Sequence, residues 1–132
     1  MSNAADDRVP PFVFVADSEL EVANTLAAIL NENGYEAVAF SSGEQLVEAA
    51  TVIKPHVVVS AVSMQGMTGT EAALQIRQSI PECKVVLWAA PDSADKRLCR
   101  IASAHRFVIL PRLAETSTLL RCLDRITSLA AA

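Results

Sequence analysis

The chain has 132 residues, of which 52% are apolar and 20% charged, and its formal net charge at pH 7 is −4. This length and composition predict one domain with a sizeable core, and the absence of a basic stripe argues against nucleic-acid binding by this domain alone. No apolar run approaches the roughly 20 residues of a membrane span, and no signal peptide is recognisable.

Three widely spaced cysteines without a CxxC pair indicate reduced thiols, so we expect a cytoplasmic protein. Residues 1–8 are interpreted as a tag or disordered N-terminus, because Ser2-Asn3-Ala4 resembles a cloning remnant. Residues 9–132 are then expected to form a single domain.

Short apolar runs alternate with amphipathic segments along the chain. The predicted strands are Phe12–Ala16, Tyr35–Phe40, Val57–Val59, Lys84–Ala89 and Arg106–Leu110. The predicted helices begin at caps or breaks near Asp17-Ser18, Ser41-Ser42, Thr70, Pro91-Asp92 and Ala114. Helical spacing places Leu20 in the first helix and Ile53 in the second toward the core.

Five strands alternating with five helices predict a parallel sheet covered on both faces. Two doubly wound strand orders fit this alternation, 2-1-3-4-5 and a Rossmann half. The first strand is followed by Ala16-Asp17-Ser18-Glu19 and not by GxGxxG, which argues against dinucleotide binding. No GxxxxGK[ST] motif is present, so a P-loop is excluded as well.

The end of the third strand is the most informative position. The run Val57-Val58-Val59-Ser60-Ala61 predicts a buried central strand. In open parallel sheets, reactive side chains lie beyond the carboxyl ends of the strands. The chain places the methyl group of Ala61 there.

Several signposts share one family's spacing: Asp17 after the first strand, then Gly34-Tyr35, Ser42-Gly43-Glu44, Pro55, Met64, Gly69 and Pro111. Over about residues 11–129 the layout resembles the receiver domain of bacterial two-component response regulators. The resemblance implies a flavodoxin-like three-layer α/β/α sandwich, with a five-stranded parallel sheet of order 2-1-3-4-5 and five helices. It also implies signalling by transfer of a phosphoryl group from a histidine kinase to an aspartate, with Mg²⁺ bound beside it.

The chain departs from that family at the positions that carry its chemistry. By resemblance, Ala61 replaces the phosphoacceptor aspartate, Ala89 the Ser or Thr, and Leu110 the lysine, while Ala16-Asp17 retains half of the acidic pair. We expect Ala16, Ala61, Ala89 and Leu110 to converge on one apolar pocket. Mg²⁺ binding, cofactors and enzymatic activity are not expected. Asp17 itself is interpreted as a helix N-cap and a residual acidic site, with a metal ligand as the alternative.

The expected function is that of a signalling module that works by protein–protein interaction without phosphorylation at the usual site. A histidine kinase or an output domain is the expected partner. A face built from the fourth helix, fifth strand and fifth helix could bind an acidic partner or form a homodimer, through Arg97, Arg100, Arg112, Arg121 and Arg125. Phe107 occupies the family's switch-aromatic position, where we expect one packing state.

Two alternatives remain open. One is a receiver-like sensor regulated by a ligand or by modification of another residue such as Ser63, which lies in the loop after Ala61. The other is a flavodoxin-like domain that binds a cofactor or acts as an enzyme. The acidic Asp17-Ser18-Glu19 turn is a poor phosphate loop, because its carboxylates would repel a flavin phosphate.

Overall fold

The computed structural model describes residues 9–90, 96–112 and 114–131 of the chain, with side chains described up to residue 128. Five strands alternate with five helices. The strands are β1 (Phe12–Ala16), β2 (Glu36–Phe40), β3 (Val57–Ala61), β4 (Lys84–Ala89) and β5 (Val108–Pro111). The helices are α1 (Leu20–Glu32), α2 (Gly43–Val52), α3 (Gly69–Ser79), α4 (Lys96–His105) and α5 (Thr116–Ala131).

The strands form one parallel sheet in the order β2-β1-β3-β4-β5. The predicted flavodoxin-like architecture is confirmed, and the Rossmann alternative is wrong. α1 and α5 border a groove on one face of the sheet, while α2, α3 and α4 border grooves with one another on the other. The strand order makes β2 and β5 the outer strands of the sheet.

Burial in the centre of the sheet follows the apolar runs. Every residue of β3 is buried, as are residues 13–16 of β1, because helices cover both faces of a parallel sheet. Gly69 lets α3 approach the end of β3, since a Cβ at that position would lie 1.9 Å from the carbonyl oxygen of Ala61. The carboxyl end of β3 is thus in contact with the start of α3.

Two predicted helix caps are wrong. The N-cap of α1 is Glu19, which makes no side-chain cap, and Asp17 instead accepts the backbone N–H of Glu19 just before the helix. The N-cap of α3 is Thr68, two residues before the predicted Thr70. Thr68 and Glu71 form a reciprocal capping box that satisfies two backbone N–H groups, which outcompetes a cap at Thr70.

Other predicted positions shift at the ends of elements. Leu20 and Ile53 are 46% and 50% exposed, because each lies where its helix begins or has just ended. β5 spans Val108–Pro111, not 106–110, since the chain adopts a positive φ of 59° at Arg106 after α4. α5 begins at Thr116, not near residue 114. The predicted start of the fourth helix at Pro91-Asp92 lies outside the described residues.

None of the helices in the described part of the chain combines the length and the apolar character needed to cross a membrane.

Candidate functional site

One row of side chains crosses the sheet at its carboxyl end. The register pairs Ala61 of β3 with Trp88 of β4, and Trp88 with Leu110 of β5. Asp17 joins this row from β1, because it lies one step beyond the paired Ala16 and Ser60. Register partners in a parallel sheet point to the same face, so these four side chains share the face covered by α1 and α5.

The expected convergence of Ala16 and Ala89 with Ala61 and Leu110 stays a prediction, because these two alanines lie one register step away from the row. The register pairs Ala16 with Ser60 and Ala89 with Pro111, which puts both alanines out of the row. Successive residues of a strand point to opposite faces, so a shift of one residue exchanges the side chain that the pocket receives. The structure puts Trp88, and not Ala89, beside Ala61.

The centre of the row is the Asp17 cluster, which we define as Asp17, Glu19, Trp88 and Arg112. Asp17 is fully buried. Its Oδ2 accepts hydrogen bonds from Arg112 Nη1 at 3.1 Å and Trp88 Nε1 at 3.3 Å. Its Oδ1 accepts from the backbone N–H of Glu19 at 2.9 Å, and Arg112 Nη2 reaches Glu19 Oε1 at 3.3 Å. Both carboxylate oxygens of Asp17 are therefore engaged.

Arg112 lies just after β5, as expected, but its side chain also takes part in contacts that the sequence did not predict. Its backbone N–H extends the β4–β5 ladder by donating to the carbonyl of Ala89 at 3.1 Å. Its guanidinium turns to the acidic residues after β1, and its side chain is 34% exposed. The carboxyl ends of parallel strands lie at the same end of the sheet, so a cation directly after β5 can meet a carboxylate directly after β1. This placement of Arg112 and Asp17 is a signal in the sequence that could have predicted the ion pair.

The Asp17 cluster brings a cation and an indole N–H to a buried carboxylate. A carboxylate buried without a partner is strongly disfavoured, and the guanidinium supplies both charge and directed hydrogen bonds. The side chain next to it in the row, Ala61, has no nucleophilic atom. The cluster can therefore neutralise and position Asp17, whereas Ala61 cannot accept a phosphoryl group.

The donor set does not fit Mg²⁺. This ion prefers octahedral oxygen ligands, with carboxylates that are free to face it. Asp17 offers one carboxylate whose oxygens already accept three hydrogen bonds, and Arg112 places a positive charge against it. Within the described residues, no group of three or more His, Cys, Asp or Glu side chains could hold a metal ion.

The two serines near Ala61 lie in different surroundings. Ser60 is fully buried and its hydroxyl donates to the carbonyl of Ala61 at 2.9 Å. The Oγ of Ser60 lies on the α3 side, where a Cβ on Gly69 would approach it to 2.7 Å. Ser63 is exposed in the following loop, so of the two serines it is the one accessible to modification.

Phe107 is buried just before β5, between two cationic or titratable side chains. The guanidinium carbon of Arg77 lies 5.0 Å from the centre of the Phe107 ring, and the ring of His105 stacks on it at 5.6 Å. Arg77 is held in turn by the carbonyls of Cys83 and His105, at 2.9 and 2.6 Å. These contacts favour one orientation of Phe107, although its behaviour as a switch residue stays a prediction.

Charge is divided between the two halves of the chain. Residues 9–90 contain nine Asp or Glu and three Lys or Arg, whereas residues 96–128 contain two and seven. Arg97 and Arg100 of α4 and Arg121 and Arg125 of α5 are all exposed. We call these four arginines, two on each of the helices that flank β5 in the chain, the basic face, and Arg97 also lines the groove between α3 and α4.

The strand order, the two helical layers and the polar carboxyl edge define a flavodoxin-like α/β/α domain. Residues 13–116 match the response regulator receiver domain family, and the chain belongs to this family of signalling proteins. It is 33% identical over 108 residues to the transcriptional regulatory protein PdtaR of Mycobacterium tuberculosis, covering 81% of this chain and 53% of PdtaR. It is 29% identical over 123 residues to the probable transcriptional regulatory protein TcrX of the same species, covering 92% and 53%.

The chain spans about half the length of these curated relatives. Solved receiver structures share its fold at low identity. The chemotaxis protein CheY4 of Vibrio cholerae has a TM-score of 0.79 at 20% identity, covering 89% of this chain and 99% of that one. The receiver domain of Francisella response regulator 1452 has a TM-score of 0.80 at 17% identity, covering 91% and 98%. At these identities the likeness extends to the fold alone.

Proposed function

We propose that this receiver-family domain works as a protein-interaction module without phosphorylation at the usual strand-end position. The observation that carries the proposal is the Asp17 cluster. The residue beside it is Ala61, and the acidic residue that would help to seat a metal is already neutralised by Arg112. Aspartyl phosphorylation requires a nucleophilic carboxylate, a metal seat and free donors for the added charge.

The absence of these groups also argues against an enzymatic role and against bound Mg²⁺ or another cofactor. A methyl group cannot attack phosphorus. The Arg112 guanidinium offers charge at this edge, but two of its N–H groups already bind Asp17 and Glu19. A phosphoryl group would have to displace these contacts before it gained any from Arg112.

The basic face is the surface that we assign to partner binding. Its four exposed arginines make it complementary to an acidic surface, which would be steered to it by long-range attraction. Two copies meeting through the same face would bring like charges together, which opposes an isologous dimer. A cytoplasmic signalling protein, such as a kinase or an output domain with an acidic surface, is the partner that these charges favour.

The first test addresses phosphorylation. The protein is incubated with acetyl phosphate and Mg²⁺, and its intact mass is measured with an ordinary receiver domain as positive control. We expect no gain in mass. A gain of one phosphoryl group that hydroxylamine removes would overturn the proposal, because acyl phosphates are cleaved by hydroxylamine. A gain that resists hydroxylamine and is lost in Ser63→Ala would support the alternative of modification at Ser63.

The same assay on Ala61→Asp tests whether phosphorylation is prevented only by the missing carboxylate or also by the missing groups around it. We expect no phosphorylation of this variant, because the new carboxylate would lie beside Asp17 without a metal seat or a lysine. Efficient phosphorylation of Ala61→Asp would show that only the nucleophile had been lost. The role assigned to the Asp17 cluster would then be wrong.

The second test addresses the basic face. Binding of a short poly-L-glutamate peptide is measured by NMR shifts for wild type and for Arg121→Glu/Arg125→Glu. We expect salt-sensitive shifts on α4 and α5 in the wild type and at least a five-fold loss of affinity in the variant. Lys54→Glu/Lys84→Glu is the matched control, since it makes the same change in net charge away from the basic face. Equal losses in both variants would leave only a net-charge effect and contradict a specific face.

Solution mass of the wild type, measured at low and high salt, tests the homodimer. We expect a monomer at both salt concentrations, because the opposing faces repel each other. A wild-type dimer that dissociates in Arg121→Glu/Arg125→Glu would contradict the acidic partner. It would show that the basic face binds a second copy of this chain.

A further inference from the structure

A groove between α1 and α5 opens beside the Asp17 cluster. Its volume is about 410 Å³, within the range of sites that hold small organic molecules. Val22 and Leu26 of α1 form one wall, and Leu110 and Leu119 form the other. Trp88 lies at the groove as well, and it is the one tryptophan in the chain. We call this site the α1–α5 groove.

The α1–α5 groove is distinct from the position that carries chemistry in receiver domains. Trp88 and Arg112 occupy the space beside Asp17 and Ala61, and the open volume lies outward from them, between the two helices. Val22 and Leu26 are only half-buried because α5 does not cover them. An apolar ligand body in the groove would remove this surface from water, which is favourable.

The charged side chains around the α1–α5 groove determine whether a cation or an anion is favoured as its ligand. Glu21 lines the groove, is exposed, and makes no ion pair within the part of the chain that the structure describes. Glu19 and the fully buried Asp17, which adjoin the groove through Arg112, already share this guanidinium.

The opposing positive contributions are smaller. Arg112 carries one charge, and the N-terminus of α5 is equivalent to about half a charge. The three carboxylates of Asp17, Glu19 and Glu21 therefore outweigh the positive charge at this end of the groove. An anionic ligand would be repelled, and a cation would find an unpaired carboxylate at Glu21.

Trp88 adds a second preference for a cation. The face of an indole ring attracts ammonium groups more strongly than other aromatic rings do. We propose that the α1–α5 groove binds a small organic cation, with an aromatic or aliphatic body against the leucines and a protonated amine directed to Glu21. The ligand would contact Trp88 and Arg112 directly and would thus be sensed by the Asp17 cluster.

Trp88 also provides the measurement. The probe is 2-phenylethylamine, titrated against the wild type while Trp88 fluorescence and NMR shifts are recorded. The matched anion is 3-phenylpropionate. We expect saturable binding of the amine on the order of 1 mM, as suits a ligand of this size, and at least ten-fold weaker binding of the anion.

Four variants decide where and how the probe binds. Glu21→Gln should weaken amine binding about five-fold, whereas Glu48→Gln, an exposed change on α2, should not alter it. Ala114→Leu and Thr25→Leu should each fill part of the groove and abolish binding, and circular dichroism identifies any variant that fails to fold. The proposal fails if the amine does not saturate, if the anion binds equally well, or if a folded groove variant retains binding. It does not depend on phosphorylation, so its failure leaves the proposed function unaffected.

Discussion

The strands have a carboxyl end and an amino end, which we call the carboxyl edge and the amino edge of the sheet. Each of them holds a polar contact between distant parts of the chain, but the chemistry of the two contacts differs. At the carboxyl edge, the fully buried Asp17 is neutralised by Arg112 and hydrogen-bonded by Trp88. At the amino edge, the hydroxyl of Tyr35, just before β2, donates to the carboxylate of Asp124 on α5. The first contact buries a charge that must be compensated, and the second buries a neutral phenol beside an exposed carboxylate.

This difference bears on the function proposed above. The amino edge needs only a neutral hydrogen bond, which any stable fold can use. The carboxyl edge keeps a buried acidic residue although the groups that would use it for phosphoryl transfer are absent. The buried charge of Asp17 requires a partner, and Arg112 supplies it. The Arg112–Asp17 ion pair at the carboxyl edge is the observation on which the proposed function depends.

Two glycines give the largest expected contrast between the edges. A Cβ at Gly69 would lie 1.9 Å from the carbonyl oxygen of Ala61, which only backbone movement can relieve. At Gly34, before β2, φ is +92° and no atom would lie within 4 Å of an added Cβ, so strain is local. We expect Gly69→Ala to lower the free energy of unfolding by about 3 kcal/mol and Gly34→Ala by about 1 kcal/mol.

Urea unfolding followed by circular dichroism measures both glycine variants. Equal losses of free energy would contradict the tight junction between β3 and α3. A larger loss for Gly34→Ala would reverse the ranking of the two edges.

Removal of Arg112 tests the ion pair. Breaking a fully buried pair costs about 3–5 kcal/mol. The Arg112 side chain is 34% exposed, so water can partly solvate Asp17 in its absence. We expect Arg112→Ala to lower the free energy of unfolding by about 2 kcal/mol, and Arg121→Ala, an exposed change on α5, by less than about 0.5 kcal/mol.

A double-mutant cycle assigns the effect of Arg112 to Asp17. In an Asp17→Asn background, the buried charge is gone and Arg112→Ala should cost less than about 1 kcal/mol. If the cost stayed the same in both backgrounds, Arg112 would act by packing and not by neutralising Asp17.

Tyr35→Phe tests the amino edge. Loss of the hydrogen bond to Asp124 should lower the free energy of unfolding by about 1 kcal/mol at neutral pH. Burial, followed by the hydrogen bond to Asp124, raises the pKa of Tyr35 from 10.0 to about 12. The folded state thus holds the phenol proton more tightly, and this part of the stability is present below pH 10 and lost as the pH rises from about 10 to 12.

Comparing the stability of Tyr35→Phe with that of the wild type separates the pH dependence due to Tyr35 from that due to the cysteine thiols. Burial also raises the pKa of Cys83 from 9.0 to about 12, so both proteins lose stability above pH 9. The difference between wild type and Tyr35→Phe should shrink between pH 8 and pH 11, as measured by urea unfolding. A constant difference over this range would show that the Tyr35 pKa is not raised in the folded state.

The sequence predicts the sheet better than it predicts the site, for physical reasons. The buried valines of β1 and β3 identify central strands, and Gly34 identifies a left-handed turn, because these are local properties of the chain. The positions of Ala61 and Asp17 beside each other follow from the order of the strands.

The partners of Asp17 are not a local property of the sequence. Arg112 lies 95 positions away, and its direction depends on the end of β5, which lies one residue beyond the predicted end. The contribution of Trp88 depends on register, since alternation decides whether residue 88 or 89 faces the pocket. The capping box at Thr68 does have a local signal in the Thr68–Glu71 spacing, but Thr70 competes with it because it lies closer to the apolar residues of the helix.

The smallest expected effect distinguishes the two donors to Asp17. The Trp88 hydrogen bond is 3.3 Å long and neutral, whereas the Arg112 bond is 3.1 Å long and carries charge. Trp88→Phe keeps an aromatic ring in the row but removes the N–H, so we expect a loss of about 0.5–1 kcal/mol by urea unfolding. Because Asp17 would still be paired with Arg112, this loss should at least double when Trp88→Phe is made in Arg112→Ala. A loss for Trp88→Phe as large as that for Arg112→Ala would mean that the indole, and not the guanidinium, is the principal partner of Asp17 at the carboxyl edge.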